Sequence, residues 1–96
     1  MSRIRELYWT DASLKHLSER DITPDDIDEI IFGIDDEGTP PTLVIRDGAN
    51  YVFYGQTGSG RLLLVVGEPL EDGILRPFAA RDMADDEKRR YRTKGK

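Results

Sequence analysis

Four side chains in the C-terminal part of the chain have the chemistry needed to act on a phosphodiester. Arg61 opens a predicted central strand, and Arg81 lies where the last strand passes into a terminal helix. Glu87 and Tyr91 follow four residues apart, so they share one face of that helix. Two guanidinium groups could clamp a phosphate while a carboxylate and a phenol manage its protons. A basic tail with ordinary ion pairs is the alternative that the spacing leaves open.

His16 is the only histidine of the chain. It lies between Leu14 and Leu17, at the edge of the apolar stripe of a predicted helix. It is either a hydrogen-bonded packing residue or a general acid or base that faces the sheet. One histidine cannot build a zinc site, and the absence of cysteine excludes disulfides and thiolate chemistry. We expect no metal and no cofactor.

Two other motifs invite a ligand-binding interpretation that their context does not support. Gly55, Gly58 and Gly60 lack the lysine of a phosphate loop and join two strands, so they predict a hairpin turn. From Glu19 to Glu37 there are nine acidic residues and one basic residue, without the spacing of a calcium-binding loop. This acidic segment predicts a solvated helix face or, as an alternative, a surface for a basic partner protein.

Charge is distributed unevenly along the 96 residues, whose formal net charge is −5. Residues 1–75 contain six basic and fifteen acidic side chains, whereas residues 76–96 contain eight basic and four acidic ones. The overall acidity argues against a nucleic-acid binder, but the basic C-terminal part can tolerate phosphate. The longest apolar run, residues 62–67, is too short to span a bilayer, and we expect a cytoplasmic protein.

The predicted elements describe one α+β domain over residues 1–96, with a core at about 4–92 and a disordered tail at 93–96. A short strand within Arg3–Trp9 precedes a helix from Asp11 to about Arg20, and a second helix starts at Pro24 after the N-cap Thr23. We expect a loop at 35–41 and then four strands. These are 42–46, 51–54, 61–66 and 74–80, and the last contains Pro77, which favours an edge or a bulge.

A terminal helix, polar all round, is predicted over Asp85–Arg92. The helical hairpin should cover one face of an antiparallel sheet of four or five strands.

The chain resembles the BrnT-type toxins, which are ribonucleases of bacterial type II toxin–antitoxin pairs with a RelE-like fold. The resemblance covers about residues 7–92 and depends on the order and spacing of four blocks. These blocks are residues 9–22, 23–30, 54–63 and 80–91. The sequence departs from the family pattern at Arg20-Asp21, where a His-Gly pair is common, and at Ala84, where a Ser or Thr would cap the last helix.

The resemblance implies metal-independent RNA cleavage, in which a ribose 2′-OH attacks the adjacent phosphate. By this correspondence Arg61 and Arg81 bind the phosphate, while Glu87 and Tyr91 match the terminal-helix motif. Lys88 is a further candidate, and His16 matches a histidine of the first helix. A small DNA-binding antitoxin is the implied partner and RNA the implied substrate. Two alternatives are a non-catalytic interaction domain and a diverged toxin that keeps antitoxin binding without catalysis.

Overall fold

The structure is an α+β domain in which three helices lie against the two faces of one sheet. The computed structural model describes residues 4–33 and 42–94. A single 3₁₀ turn, Glu71–Gly73, connects the last two strands. The elements are β1 (Glu6–Leu7), α1 (Asp11–Glu19), α2 (Pro24–Phe32), β2 (Leu43–Asp47), β3 (Asn50–Gln56), β4 (Leu62–Pro69), β5 (Ile74–Asp82) and α3 (Asp85–Lys94). The predicted fold class is therefore confirmed.

The sheet is mixed, with the strand order β1-β5-β4-β3-β2. Strands β2 to β5 form an antiparallel meander, but β1 pairs with β5 in parallel, with Glu6 opposite Ile74. The prediction of a purely antiparallel sheet is wrong at this strand. The chain runs along the outer edge of β5 in the direction of β5 itself before α1 begins, and no hairpin turn links β1 to its partner.

Capping interactions fix the two N-terminal helices where the sequence predicts them. The Thr10 hydroxyl accepts from the Ser13 N–H, and Thr23 and Asp26 form a reciprocal capping box at the start of α2. Asp21 takes the left-handed conformation (φ 56°) between the helices, as expected for the residue that ends α1. Ile22 and Ile27, on either side of the second cap, are both buried.

The sheet has a core on each face. On the first face, α1 and α2 cover Phe53, Leu63, Val65, Leu75 and Ala80. On the second face, α3 packs a smaller cluster of Tyr54, Leu64, Met83 and Tyr91 against the sheet. Strand β4 contributes to both cores, as expected for its run of apolar residues without alternation. The burial of Tyr91 (5% exposed) shows that α3 is not polar all round, as its sequence predicts, because one tyrosine anchors it.

A bulge in β5 reverses the phase of its side chains. Val66 pairs with Ala79 and Gly67 pairs with Pro77, so Phe78 has no partner of its own on β4. Leu75 and Ala80, five residues apart, therefore lie on the same face. This confirms the prediction that Pro77 marks an edge or a bulge, since β5 lies between β1 and β4.

Some boundaries differ from the predicted ones. Helix α3 continues through Thr93 and Lys94, which the sequence assigns to a disordered tail, and the Thr93 hydroxyl donates to the Arg89 carbonyl. Leu14 is exposed, and Ser13 joins Leu17 as a buried residue of α1. The predicted loop at 35–41 and the end of the tail, residues 95–96, lie outside the described residues. Within residues 4–33 and 42–94, no helix is long and apolar enough to cross a membrane.

The capping box gives a direct test of the helix assignment. Replacing Thr23 with Ala removes the hydroxyl that accepts from the Asp26 N–H at 3.1 Å. We expect Thr23→Ala to lower the free energy of unfolding by about 1 kcal/mol, measured by urea denaturation. Ser18→Ala is the matched control, because Ser18 is exposed within α1 and alanine favours the helix. Equal stability of the two variants would contradict the capping role.

Candidate functional site

Arg81 and Glu87 form a bidentate ion pair between the end of β5 and the first turn of α3. The two Arg81 amino groups donate to the two Glu87 carboxylate oxygens at 2.7 and 2.8 Å. The side chain of Glu87 is 17% exposed and that of Arg81 is 50% exposed. Glu87 also accepts from the Ala84 N–H at 2.7 Å, so it supplies the cap that Ala84 cannot provide.

The ion pair shifts both of its members toward the charged form. The hydrogen bond from Arg81 lowers the pKa of Glu87, and the bond from the Ala84 N–H adds to this effect against the opposing effect of burial. The hydrogen bond to Glu87 likewise raises the pKa of Arg81. Glu87 is therefore an ionised carboxylate that orients a guanidinium, which leaves it poorly suited to donate a proton.

Tyr91 and Lys88 lie on α3 in different surroundings. Tyr91 is buried in the second core, and burial raises the pKa of its phenol, so it keeps its proton at neutral pH. Lys88 is half-buried, and its charge contributes to lowering the pKa of Asp82, to which Arg61 makes the main contribution. The predicted site residues of α3 therefore have different neighbours. Glu87 faces Arg81, Tyr91 supports the core and Lys88 lies toward Asp82.

Arg61 lies at the turn between α1 and α2. Its guanidinium donates to both carboxylate oxygens of Asp82, at 2.8 and 3.0 Å, and to the backbone carbonyls of Arg20 and Asp21. The glycine-containing turn that precedes it is closed by Thr57, whose hydroxyl accepts from the Arg61 N–H at 3.1 Å. This confirms the predicted hairpin turn. It also shows that Arg61 holds the turn between α1 and α2 against the sheet.

The two predicted phosphate-binding arginines do not converge. Asp82, the partner of Arg61, pairs with Leu63 and lies on the face covered by α1 and α2. Arg81 pairs with Leu64 and lies on the face covered by α3. Successive residues of a strand point to opposite faces, and the bulge near Pro77 sets which of them points where. Without that extra residue Arg81 would share the face of Arg61.

His16 crosses the outer edge of β5 and meets the backbone of Ala80. Its Nε2 lies 3.1 Å from the Ala80 N and 3.2 Å from the Ala80 carbonyl oxygen, while its Nδ1 lies 3.2 Å from Nη1 of Arg20. The Ala80 N–H donates to Nε2, which requires a lone pair there, whereas a bond from the Arg20 guanidinium requires a lone pair on Nδ1. An imidazole with one ring proton can satisfy only one of these two donors. In the tautomer with the proton on Nε2, the Ala80 carbonyl accepts that proton and Nδ1 keeps its lone pair at the cleft.

A cleft of about 120 Å³ brings His16 and Arg81 together with Arg20. Its floor is apolar and comes from Leu64, Val66 and Ala79. The volume is below the roughly 300–1,000 Å³ of clefts that enclose drug-sized ligands, so the cleft suits a small group such as a phosphate. Arg20 is not among the predicted site residues. Its spacing of four residues from His16, on one helix face, is the signal that could have indicated it.

A larger cleft of about 320 Å³ lies at the opposite end of the sheet. The ionisable side chains that line it are Tyr51, Glu71 and Asp72, so it offers no cation to a phosphate. Within the described parts of the chain, no three histidine or acidic side chains are grouped closely enough to bind a metal ion. The cleft of His16, Arg20 and Arg81 is the candidate functional site, because it brings two predicted site residues together.

The chain is similar in fold to a protein of known structure. No protein-family model and no curated protein matches the chain by sequence. The crystal structure of the Brucella abortus ribonuclease toxin BrnT superimposes with a TM-score of 0.64 at 11% sequence identity. The match covers 83% of this chain and 97% of the toxin chain. The chain has a BrnT-like fold. This confirms the predicted resemblance for the fold, over nearly the whole length of the toxin.

The pairing of Arg81 with Glu87 gives a pH-dependent prediction for the BrnT-like domain. Because the pKa of Glu87 is lower in the folded state, its contribution is complete above the unfolded value and is lost as the pH falls through the folded value. We expect Glu87→Gln to lower the free energy of unfolding at pH 7 by about 0.5–1 kcal/mol, since Arg81 is half exposed. The difference from the native chain should shrink below about pH 4.

The matched control is Asp86→Asn, which removes one charge from the same helical turn. Urea denaturation between pH 3 and 7 measures both variants against the native chain. A pH profile of Glu87→Gln that follows that of Asp86→Asn would contradict a specific role of the Arg81 pair.

Arg61 gives a second prediction, because it fixes the turn that carries Arg20. Arg61→Lys keeps the charge but loses the planar donors that reach two carbonyls and one carboxylate. We expect the amides of Arg20, Asp21 and Ile22 to exchange roughly fivefold faster in native-state hydrogen exchange, as a loss of about 1 kcal/mol implies. Arg46→Lys, at the far end of the sheet, should leave them unchanged. Unaltered exchange in Arg61→Lys would remove the positioning role.

Proposed function

We propose that this protein is a toxin-type endoribonuclease that cleaves RNA at the cleft of His16 and Arg81 without a metal ion. The observation that carries the proposal is the presence of a guanidinium and a basic imidazole nitrogen around one small cleft on a BrnT-like fold. An imidazole can accept the proton of a ribose 2′-OH, and a guanidinium can stabilise the charge that develops on the phosphate.

Arg81 binds the scissile phosphate in this proposal. The ion pair with Glu87 holds the guanidinium at the end of β5, and half of the Arg81 side chain remains exposed to solvent. A guanidinium fixed in this way stabilises the negative charge that develops on the phosphate oxygens as the 2′-OH attacks. Glu87 and Tyr91 act indirectly, the first by orienting Arg81 and the second by anchoring α3 to the sheet.

His16 is the proton acceptor. The reaction uses the tautomer in which Nε2 donates its proton to the Ala80 carbonyl and Nδ1 carries the lone pair beside Arg20. The 2′-OH transfers its proton to Nδ1 as its oxygen forms a bond to phosphorus. The bond from phosphorus to O5′ then breaks, giving a 2′,3′-cyclic phosphate and a 5′-oxyanion, which takes a proton from water to become the 5′-hydroxyl. Lys88 and Arg61 lie near Asp82. In this proposal they add positive charge to this end of the sheet and hold the helices in place.

A cognate antitoxin is the proposed protein partner. The solved structure that shares the fold is described as a ribonuclease toxin, and control by an antitoxin would keep such an activity inactive. The acidic residues of α2, Asp25, Asp26, Asp28 and Glu29, offer a surface for a partner with basic side chains. The proposed substrate is RNA, which approaches from the basic C-terminal side.

Controlled expression in a bacterium, combined with cleavage of RNA by the purified protein, tests the function. The native chain should arrest growth and leave 2′,3′-cyclic phosphate ends in the presence of a chelator. His16→Gln and Arg81→Gln should each reduce the cleavage rate by about a hundredfold or more. Arg46→Gln is the control for the loss of one arginine at a distance from the cleft. Growth without arrest, together with intact RNA, would rule out the ribonuclease function.

A second function is favoured by one feature of the same site. Both arginines selected from the sequence are already neutralised, Arg61 by Asp82 and Arg81 by Glu87. A diverged domain that binds a protein partner without cleaving RNA would have such compensated charges. This alternative predicts that the native chain binds its partner and that neither His16→Gln nor Arg81→Gln changes growth.

A further inference from the structure

We infer that Arg20 is a second phosphate-binding residue of the cleft, and that phosphate binding draws its guanidinium away from His16. The inference rests on the proposed function for its biological meaning, but it concerns anion binding and can be tested without cleavage. Arg20 is not one of the site residues predicted from the sequence. The ligand class is a phosphate group of a nucleic-acid backbone.

Arg20 differs from the neighbouring arginines in its partners. Arg61 and Arg81 each bind a carboxylate through two nitrogen atoms. Among residues 4–33 and 42–94, no carboxylate lies within ion-pair distance of Arg20. Its guanidinium contacts Nδ1 of His16 at 3.2 Å and donates to the His16 carbonyl at 3.4 Å. Arg20 therefore brings to the cleft a positive charge that no carboxylate of the described residues pairs with.

The composition of the cleft also points to an anion. Arg20 and Arg81 line it together, and no acidic residue is among its described lining residues. Because Glu87 compensates the charge of Arg81, the charge left beside this apolar floor is that of Arg20. A phosphate between the two arginines would balance the charge of Arg20 and accept hydrogen bonds from both planar guanidinium groups. A second guanidinium also allows the phosphate to be held from two sides.

The contact between Arg20 and His16 links phosphate binding to the proposed base. In the tautomer with the proton on Nε2, Nη1 of Arg20 donates to Nδ1 and engages the lone pair of the imidazole. A phosphate oxygen is a stronger acceptor for a guanidinium than a neutral imidazole, because it carries charge. Transfer of this donor to the phosphate frees Nδ1 at the moment when the substrate is present.

The backbone at Arg20 is fixed even though its side chain is exposed. Its N–H donates to the Leu17 carbonyl at 3.0 Å, and its own carbonyl accepts from Arg61 at 3.0 Å. A side chain that moves from a fixed base can exchange one acceptor for another without unfolding the helix end. This places Arg61 behind Arg20 as a positioning residue.

Binding of a single-stranded DNA oligonucleotide tests the inference, because it lacks the 2′-OH and cannot be cleaved by the proposed reaction. Fluorescence anisotropy should show about tenfold weaker binding for Arg20→Gln than for the native chain at low salt. The slope of log affinity against log salt should fall by about 0.7, the value for one lost contact on a single strand. Arg20→Lys should bind with intermediate affinity, and Arg46→Gln should bind like the native chain.

The ¹⁵N spectrum of His16 provides the second measurement. Titration with inorganic phosphate should shift the Nδ1 resonance of the native chain, and the free Arg20→Gln variant should already differ from the native chain at Nδ1. Circular dichroism and urea denaturation confirm that the variants are folded. Binding by Arg20→Gln within twofold of the native chain, or no binding by the native chain, would overturn the inference.

These outcomes separate the inference from the proposed function. If the native chain binds the oligonucleotide through Arg20 but does not cleave RNA, the anion site stands and the ribonuclease function fails. If the native chain cleaves RNA and Arg20→Gln cleaves and binds equally well, the ribonuclease function stands and the role of Arg20 fails.

Discussion

Burial of β4 on both faces is the constraint on which the rest of the structure depends. Leu63 and Val65 are completely buried on one face, and Leu64 is nearly so on the other. A strand of this kind needs cover on both sides, because its apolar residues leave no face for water. The helices α1 and α2 supply that cover on the first face, and α3 supplies it on the second. The cleft forms beside this strand, where α1 reaches the outer edge of its neighbour β5.

The bulge in β5 determines on which face of the sheet Arg81 and Asp82 lie. One extra residue near Pro77 places Ala80 in the first core and turns Arg81 toward α3. Arg81 then meets Glu87, and the adjacent Asp82 remains on the side of Arg61. Two residues that follow each other in the chain thus anchor different helices. The end of β5 connects the α1–α2 turn to the start of α3.

Most of the elements could be predicted from local signals, since they depend on residues close in sequence. Thr23 with Pro24 starts α2, the glycines after Tyr54 form a turn, and Glu87 caps α3 in place of Ala84. The separation of Arg61 and Arg81 could not be predicted in the same way. It depends on the pairing register of β4 with β5 and on the position of the bulge, which are long-range properties. The parallel pairing of the two-residue β1 could not be predicted either, because no turn links it to β5.

The sequence predicts which types of residue form the site, but it predicts less well which of these residues lie together. Arg81 and Glu87 meet as their proximity to the β5–α3 boundary suggests, whereas Tyr91 is drawn into the second core by its apolar ring. His16 has features of both predicted roles, packing residue and general base. Its Nε2 contacts the backbone of β5, and its Nδ1 lies at the cleft. Arg20 is not distinguished by the sequence alone, since an arginine at a helix end is usually solvated and the tertiary structure places it at the same cleft as a second arginine.

The position of His16 has a consequence for the sheet as a whole. Strand β1 covers only the first residues of the outer edge of β5, and beyond Leu75 no strand in the described chain pairs with that edge. Unpaired edges of this kind are sites where a second polypeptide can add a strand. The imidazole engages the backbone of Ala80 at this point. The residue proposed to take a proton from RNA therefore also occupies backbone groups that an added strand would need.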